Sequence, residues 1–174
     1  MKQNYPKARR YFSRACDKGD THACYNLAVH YDDGLGVSEN NKRAVMLYER
    51  ACAADHAEAC NNLSIKVDDG EGTKADRARA ITLFDKACTL GSAEACFSMG
   101  RAHQTGNGIK VDFERAAALL ERSLELDANS SSSDEARIAL IAAKKGRDVK
   151  TGDFFEDDQF ENEKPDTATK EGKK

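Results

Sequence analysis

The chain has no apolar run near the roughly 18 residues needed to span a bilayer, which excludes an inserted membrane helix. Also missing is a Lys-rich start followed by an apolar core, so no signal peptide is evident. Positive charge is not in excess: 27 Lys and Arg face 30 Asp and Glu, for a net charge of −3. A dedicated nucleic-acid binder needs surplus Lys and Arg to neutralise phosphates, so that class is excluded. With no tryptophan, five tyrosines and seven phenylalanines, no aromatic stacking platform emerges either. No serine has lysine three residues on, and no His-Glu-x-x-His occurs, which removes the usual serine acylase and zinc hydrolase signatures.

What the chain does have is a beat. Six cysteines form three pairs, Cys16/Cys24, Cys52/Cys60 and Cys88/Cys96, separated by 8 within each pair and by 36 between pairs. Ala8, Ala44, Ala80 and Ala116 keep the same period, as do Phe12, Tyr48, Phe84 and Leu120. A constant period of this size marks a solenoid whose units stack on their neighbours. Within one unit Ala8, Tyr11, Phe12, Ala15 and Cys16 fall on one face of a helix, and the next units repeat the stripe. After a turn at Gly19 or Gly91 a second stripe follows: Ala23, Cys24, Leu27 and Tyr31, then Ala59, Cys60, Leu63 and Val67, then Ala95, Cys96, Met99 and His103. Gly34-Leu35-Gly36, Gly70-Glu71-Gly72 and Gly106-Asn107-Gly108 close the second helices with a residue type suited to left-handed caps.

These spacings predict an all-α, α/α solenoid, a TPR-like right-handed superhelix of about four helix pairs. The expected units are 5–40, 41–76, 77–112 and 113–152, making one repeat domain over 1–152 with an acidic disordered tail over 153–174. In the last unit Leu124 replaces the first cysteine. The Ser130 to Ser133 run inserts four residues, so Ala136 takes the place of the second, as suits a terminal capping unit.

The motif A-x-x-L/Y-Y/F-x-x-A-C, a second Cys eight residues on, N-L, and then G-x-G-V/I resembles the Sel1-like repeat over about residues 5 to 152. It is most similar to the cysteine-rich bacterial branch of that family and to a related mitochondrial respiratory assembly factor. The resemblance implies a non-catalytic scaffold or adaptor for a protein or peptide ligand. It also implies two alternatives: a penicillin-binding or weakly β-lactamase-active hydrolase, and an intermembrane-space assembly factor. Lys150-Thr151-Gly152 matches the K-T-G element of β-lactam-binding enzymes, but without Ser-x-x-Lys or Ser-Asp-Asn it reads as coincidence. No catalytic residue, metal site or cofactor is assigned, and the oligomeric state is left open.

Each cysteine pair lies across a tight turn between antiparallel helices, where the Cα separation of about 5.5 Å suited to a disulfide is met. Three states stay open for them: intra-repeat disulfides, reduced buried fillers, or a zinc site. Zinc is the poorest fit, because each seam supplies two sulfurs and His22, His30, His56 and His103 occupy non-equivalent columns. Disulfides favour an oxidising compartment, whether periplasm, extracellular space or intermembrane space. The missing leader pulls toward the cytoplasm, unless an upstream segment has been lost or the pairs are trapped after leaderless import.

Two surface columns remain. Lys7, Arg43, Arg79 and Arg115, with Arg14, Arg50, Lys86 and Arg122, form a basic ladder that either makes inter-repeat salt bridges or receives an acidic peptide, including the chain's own tail. Asn26, Asn62 and Ser98 form a column in which the asparagine carboxamides, having donor and acceptor both, could pair with an extended peptide backbone or cap neighbouring helices. In the tail, Phe154, Phe155 and Phe160 among acidic residues read either as a short docking motif or as a last hydrophobic patch.

Overall fold

A computed structural model describes residues 4–128 and 133–146, and the following statements concern those residues. Eight α-helices follow one another: α1 Tyr5–Asp17, α2 Thr21–Asp32, α3 Asn41–Ala53, α4 Ala57–Asp69, α5 Arg77–Thr89, α6 Ala93–Thr105, α7 Phe113–Leu126 and α8 Ser133–Lys144. Each helix packs on its chain neighbours, and α6 also touches α8. The result is the expected all-α solenoid of four antiparallel pairs, with no strand among the described residues.

Helix starts are set by side chains on the same period. Asn4, Asn40, Asp76 and Asp112 open the first helices of the pairs, and Asp20, His56 and Ser92 open the second helices of the first three. The six other than His56 each accept a hydrogen bond from the backbone N–H three residues on, at distances from 2.8 Å for Asp20 to 3.3 Å for Ser92, while the His56 ring lies 3.4 Å from the Ala59 amide nitrogen. Such a cap satisfies a donor that the helix itself cannot, and contributes about 1 kcal/mol. At the far ends, Gly70 and Gly106 cap α4 and α6 in the left-handed conformation. The equivalent cap of α2 is Asp33, with Gly34 one residue later at φ 67°.

The core is the column of small and aromatic residues read from the period. Ala44, Ala51, Ala59, Ala80, Ala87, Ala95 and Ala116 are fully buried, as is Leu120, and Tyr48 is 1% exposed. Small residues let the helix backbones approach. Gly100 shows this most sharply, since a Cβ there would lie 2.7 Å from Cγ of Leu120. Tyr11 departs from the expected stripe: it is 59% exposed, although its register partners Leu47 and Leu83 pack on the core. No helix preceding α1 is described to cover it.

Candidate functional site

The seams decide what the polar columns can do. Disulfides join Cys16 to Cys24, Cys52 to Cys60 and Cys88 to Cys96, with Cα separations of 4.6, 4.7 and 4.6 Å. Each bond clasps the two helices of one pair at their shared turn, and no described cysteine is left free. The sulfurs are therefore engaged with one another, in place of the filler and zinc states. Three such bonds fit an oxidising compartment.

The basic ladder is largely occupied between units. The Arg50 guanidinium donates to the Cys16 carbonyl at 2.6 Å, the Lys86 ammonium to the Cys52 carbonyl at 2.7 Å, and Arg122 to the Thr89 carbonyl at 3.4 Å. These carbonyls lie at the end of the preceding unit's first helix, where the helix dipole favours a cation; those of Cys16 and Cys52 also accept from the Gly19 and Asp55 backbone N–H groups. In the other column Arg43 donates to the Tyr31 hydroxyl and lies 5.3 Å from its ring centroid. Arg79 pairs with Glu49 at 2.6 Å, and Arg115 approaches Asp85 at 3.8 Å. Arg14 is exposed and lines a small cavity with Lys7, Arg10 and Tyr11. The ladder thus works mainly as inter-unit bonding, not as one open electropositive track.

The amide column splits. Asn26 donates to the His22 carbonyl of its own helix at 2.9 Å, whereas Asn62 donates to the Tyr48 hydroxyl at 3.3 Å. That hydroxyl donates in turn to Asp32 at 3.2 Å, and Asp32 accepts from the Lys66 ammonium at 2.6 Å. Burial, followed by the nearby Asp32 carboxylate, pushes the Tyr48 phenol well above its ordinary range. For Lys66 burial favours the neutral amine, but bonds to Asp32 and Glu71 outweigh it and raise the ammonium above its usual value. This chain joins α2, α3 and α4 and has no counterpart in the sequence columns.

Ser98 instead faces a groove of about 910 Å³. Its apolar lining is Ile81, Phe84, Phe97, Met99 and Ile138, drawn from α5, α6 and α8, while Arg77, Arg101 and Asn107 supply polar groups. Arg77 is held by Asp68 and by the Asn107 carbonyl. The groove could not be read from one unit, because Ile138 reaches it only after the four-residue insertion shifts the last unit's register. A contact between two histidines was not legible in the columns. His22 and His56 stand 34 apart, outside any 36-residue column, yet their rings meet across the first two pairs at 3.1 Å. Lys150 to Gly152 and Phe154, Phe155 and Phe160 lie outside the described residues.

Among known proteins, the Sel1 repeat family model matches residues 1–20, 21–56, 57–92 and 93–127. A solved Sel1 repeat protein from Oxalobacter formigenes superimposes with a TM-score of 0.74 at 26% identity, over 85% of this chain and 42% of that one. A protective antigen of uropathogenic Escherichia coli strains with an SLR fold gives 0.70 at 27% identity, over 80% and 29%. Helicobacter pylori cysteine rich protein B gives 0.52 at 32% identity, over 54% and 71%. Helicobacter pylori HcpC, which carries a provisional beta-lactamase name, is 42% identical over 41 residues, 24% of this chain and 14% of that protein. The chain therefore matches only part of the length of each of these relatives.

Proposed function

We propose, for a chain that belongs to the Sel1 repeat family, a non-catalytic scaffold that holds an extended segment of a partner protein in the groove of α4, α5, α6 and α8. The observation that carries this reading is the groove itself. An apolar floor of Phe84, Phe97 and Met99 can take a bulky side chain, while Ser98, Asn107 and Arg101 at its walls can bond a backbone or an acidic group. The disulfides support it by fixing the helix pairs that carry those side chains, which lowers the ordering cost of binding. They favour a periplasmic or secreted setting, which the bacterial sources of the relatives also support.

The test is selection from a random peptide-display library on the immobilised, oxidised full chain. Enriched sequences should bind wild type and lose at least tenfold in affinity with Phe97→Ala or Arg101→Glu, while helical circular dichroism is unchanged. Failure to enrich any sequence, or binding indifferent to both variants, would sink the reading.

A second reading, hydrolysis of β-lactams, rests on the name that HcpC carries. Its support in this chain is thin, because no serine has the required lysine. Nitrocefin turnover above buffer that disappears on one point substitution would favour it over the scaffold.

A further inference from the structure

We propose that His22 and His56 form a binding site for a divalent transition metal, bridging the first two helix pairs. Nε2 of His56 and Nδ1 of His22 lie 3.1 Å apart, with ring planes at 72°. Bonds of about 2.05 Å to one metal, typical of imidazole, would then subtend about 98°, between the square-planar and tetrahedral angles. The rings must turn out of their hydrogen-bonded line to aim both lone pairs at a common point, and the exposed His22 can make most of that movement.

His56 is already held as a ligand would be. Its side chain is 8% exposed, and its ring stacks on Tyr25 at 4.6 Å and 20°. On its far side Nδ1 lies 3.0 Å from Oε2 of Glu58, and 3.4 Å from the Ala59 amide nitrogen. One nitrogen cannot donate to Glu58 and accept from Ala59 together, and the shorter, charge-assisted contact assigns the proton to Nδ1. That tautomer leaves Nε2 with its lone pair toward His22, in the carboxylate–histidine arrangement that orients metal ligands. Without metal, Nδ1–H of His22 donates to that lone pair. Metal entry moves this proton to the solvent-facing Nε2 of His22, so no net proton is released.

Among the described residues no three His, Cys, Asp or Glu side chains converge on one point, so water completes the shell. The site is separate from the groove, and its occupancy stiffens the seam between pairs one and two. Because all six cysteines are in disulfides, no thiol competes for the ion.

The test is calorimetric titration of the oxidised full chain with ZnCl₂, and electron paramagnetic resonance with CuCl₂. The expected result is one saturable ion per chain, a copper signal split by two nitrogens, and a rise in Tm with zinc. His22→Ala, an exposed change that leaves the core intact, should weaken binding at least tenfold and abolish the two-nitrogen pattern. Glu58→Gln should weaken it by up to about tenfold with stoichiometry kept, and His103→Ala should change nothing. Absence of saturable binding below millimolar metal, or binding indifferent to His22→Ala, would overturn the proposal.

Discussion

At the residue scale, the turn between helices of a pair shows how one position tolerates a break in the repeat. Gly19 and Gly91 sit there at φ 96° and 104°, but the second unit has Asp55 at φ 61°. A left-handed residue with a Cβ costs about 1 to 2 kcal/mol, less for Asp than for most. Asp55 offsets part of that through its ion pair with Lys86 at 2.8 Å, an exposed contact worth little. Asp55→Ala loses the pair and keeps the strain, so it should lower Tm by several degrees, whereas Asp55→Gly should leave Tm unchanged or raised. A second residue-scale effect follows from His56. Its folded-state pKa is depressed by burial, so the unfolded chain binds the proton more readily. Stability is then fully present above the unfolded value near 6.5 and declines as pH falls through the folded one. Thermal melts from pH 7.5 to 5 should show a loss that His56→Asn, a capping replacement that does not titrate there, removes in part. Equal pH slopes for both proteins would contradict the assignment.

At the scale of the helix, the period made the fold legible. The alanine and cysteine columns are the packed faces because 36 residues return each side chain to the same place in the stack. Less legible was what the polar columns do. Arg50 and Lys86 read from the sequence first as inter-unit salt-bridge partners and second as a peptide-binding track, and in the fold they donate to the carbonyls of Cys16 and Cys52. Hydrogen bonds between units depend on the rise from one pair to the next, which a repeat spacing does not contain. The His22–His56 contact escaped for the same reason, since it joins two different columns. Gly100 gives the sharpest prediction here. Its register partners are Ala28 and Ser64, both fully buried, and it faces Leu120, whose own register partners are Tyr48 and Phe84. Gly100→Ala gains helix propensity but must push Leu120 aside, and overpacking costs about 1 to 3 kcal/mol. A net fall in urea midpoint is expected, and Gly100→Ala with Leu120→Ala should show strong non-additivity in a double-mutant cycle.

At the scale of the whole molecule, the first three pairs are clasped covalently while the fourth is held without a disulfide, by an apolar cluster of Ala116, Leu120, Ala136, Ala139 and Ala143 and by polar contacts to the third pair. Gln104, fully buried, donates to the Ala139 carbonyl at 2.6 Å, and Ser123 donates to the Ala93 carbonyl at 2.8 Å. The fourth pair should therefore be the least protected in amide exchange, and Gln104→Leu should lower protection in α8 more than in α2. A short loop closed by a disulfide contributes about 2 to 3 kcal/mol, so three are comparable with a domain's whole net stability of about 5 to 15. Cys52→Ser should cost several degrees in Tm and leave Cys60, itself fully buried, as a thiol that alkylates only when the pair opens.

The clasped repeat underlies the rigidity of the groove and the choice of compartment alike, so the most direct test is on the bonds. Native protein purified without reductant would be alkylated, its intact mass measured, and its peptides mapped. The account predicts no alkylated cysteine and three bonds joining Cys16 to Cys24, Cys52 to Cys60 and Cys88 to Cys96. Six alkylated thiols, or bonds linking one unit to another, would contradict it.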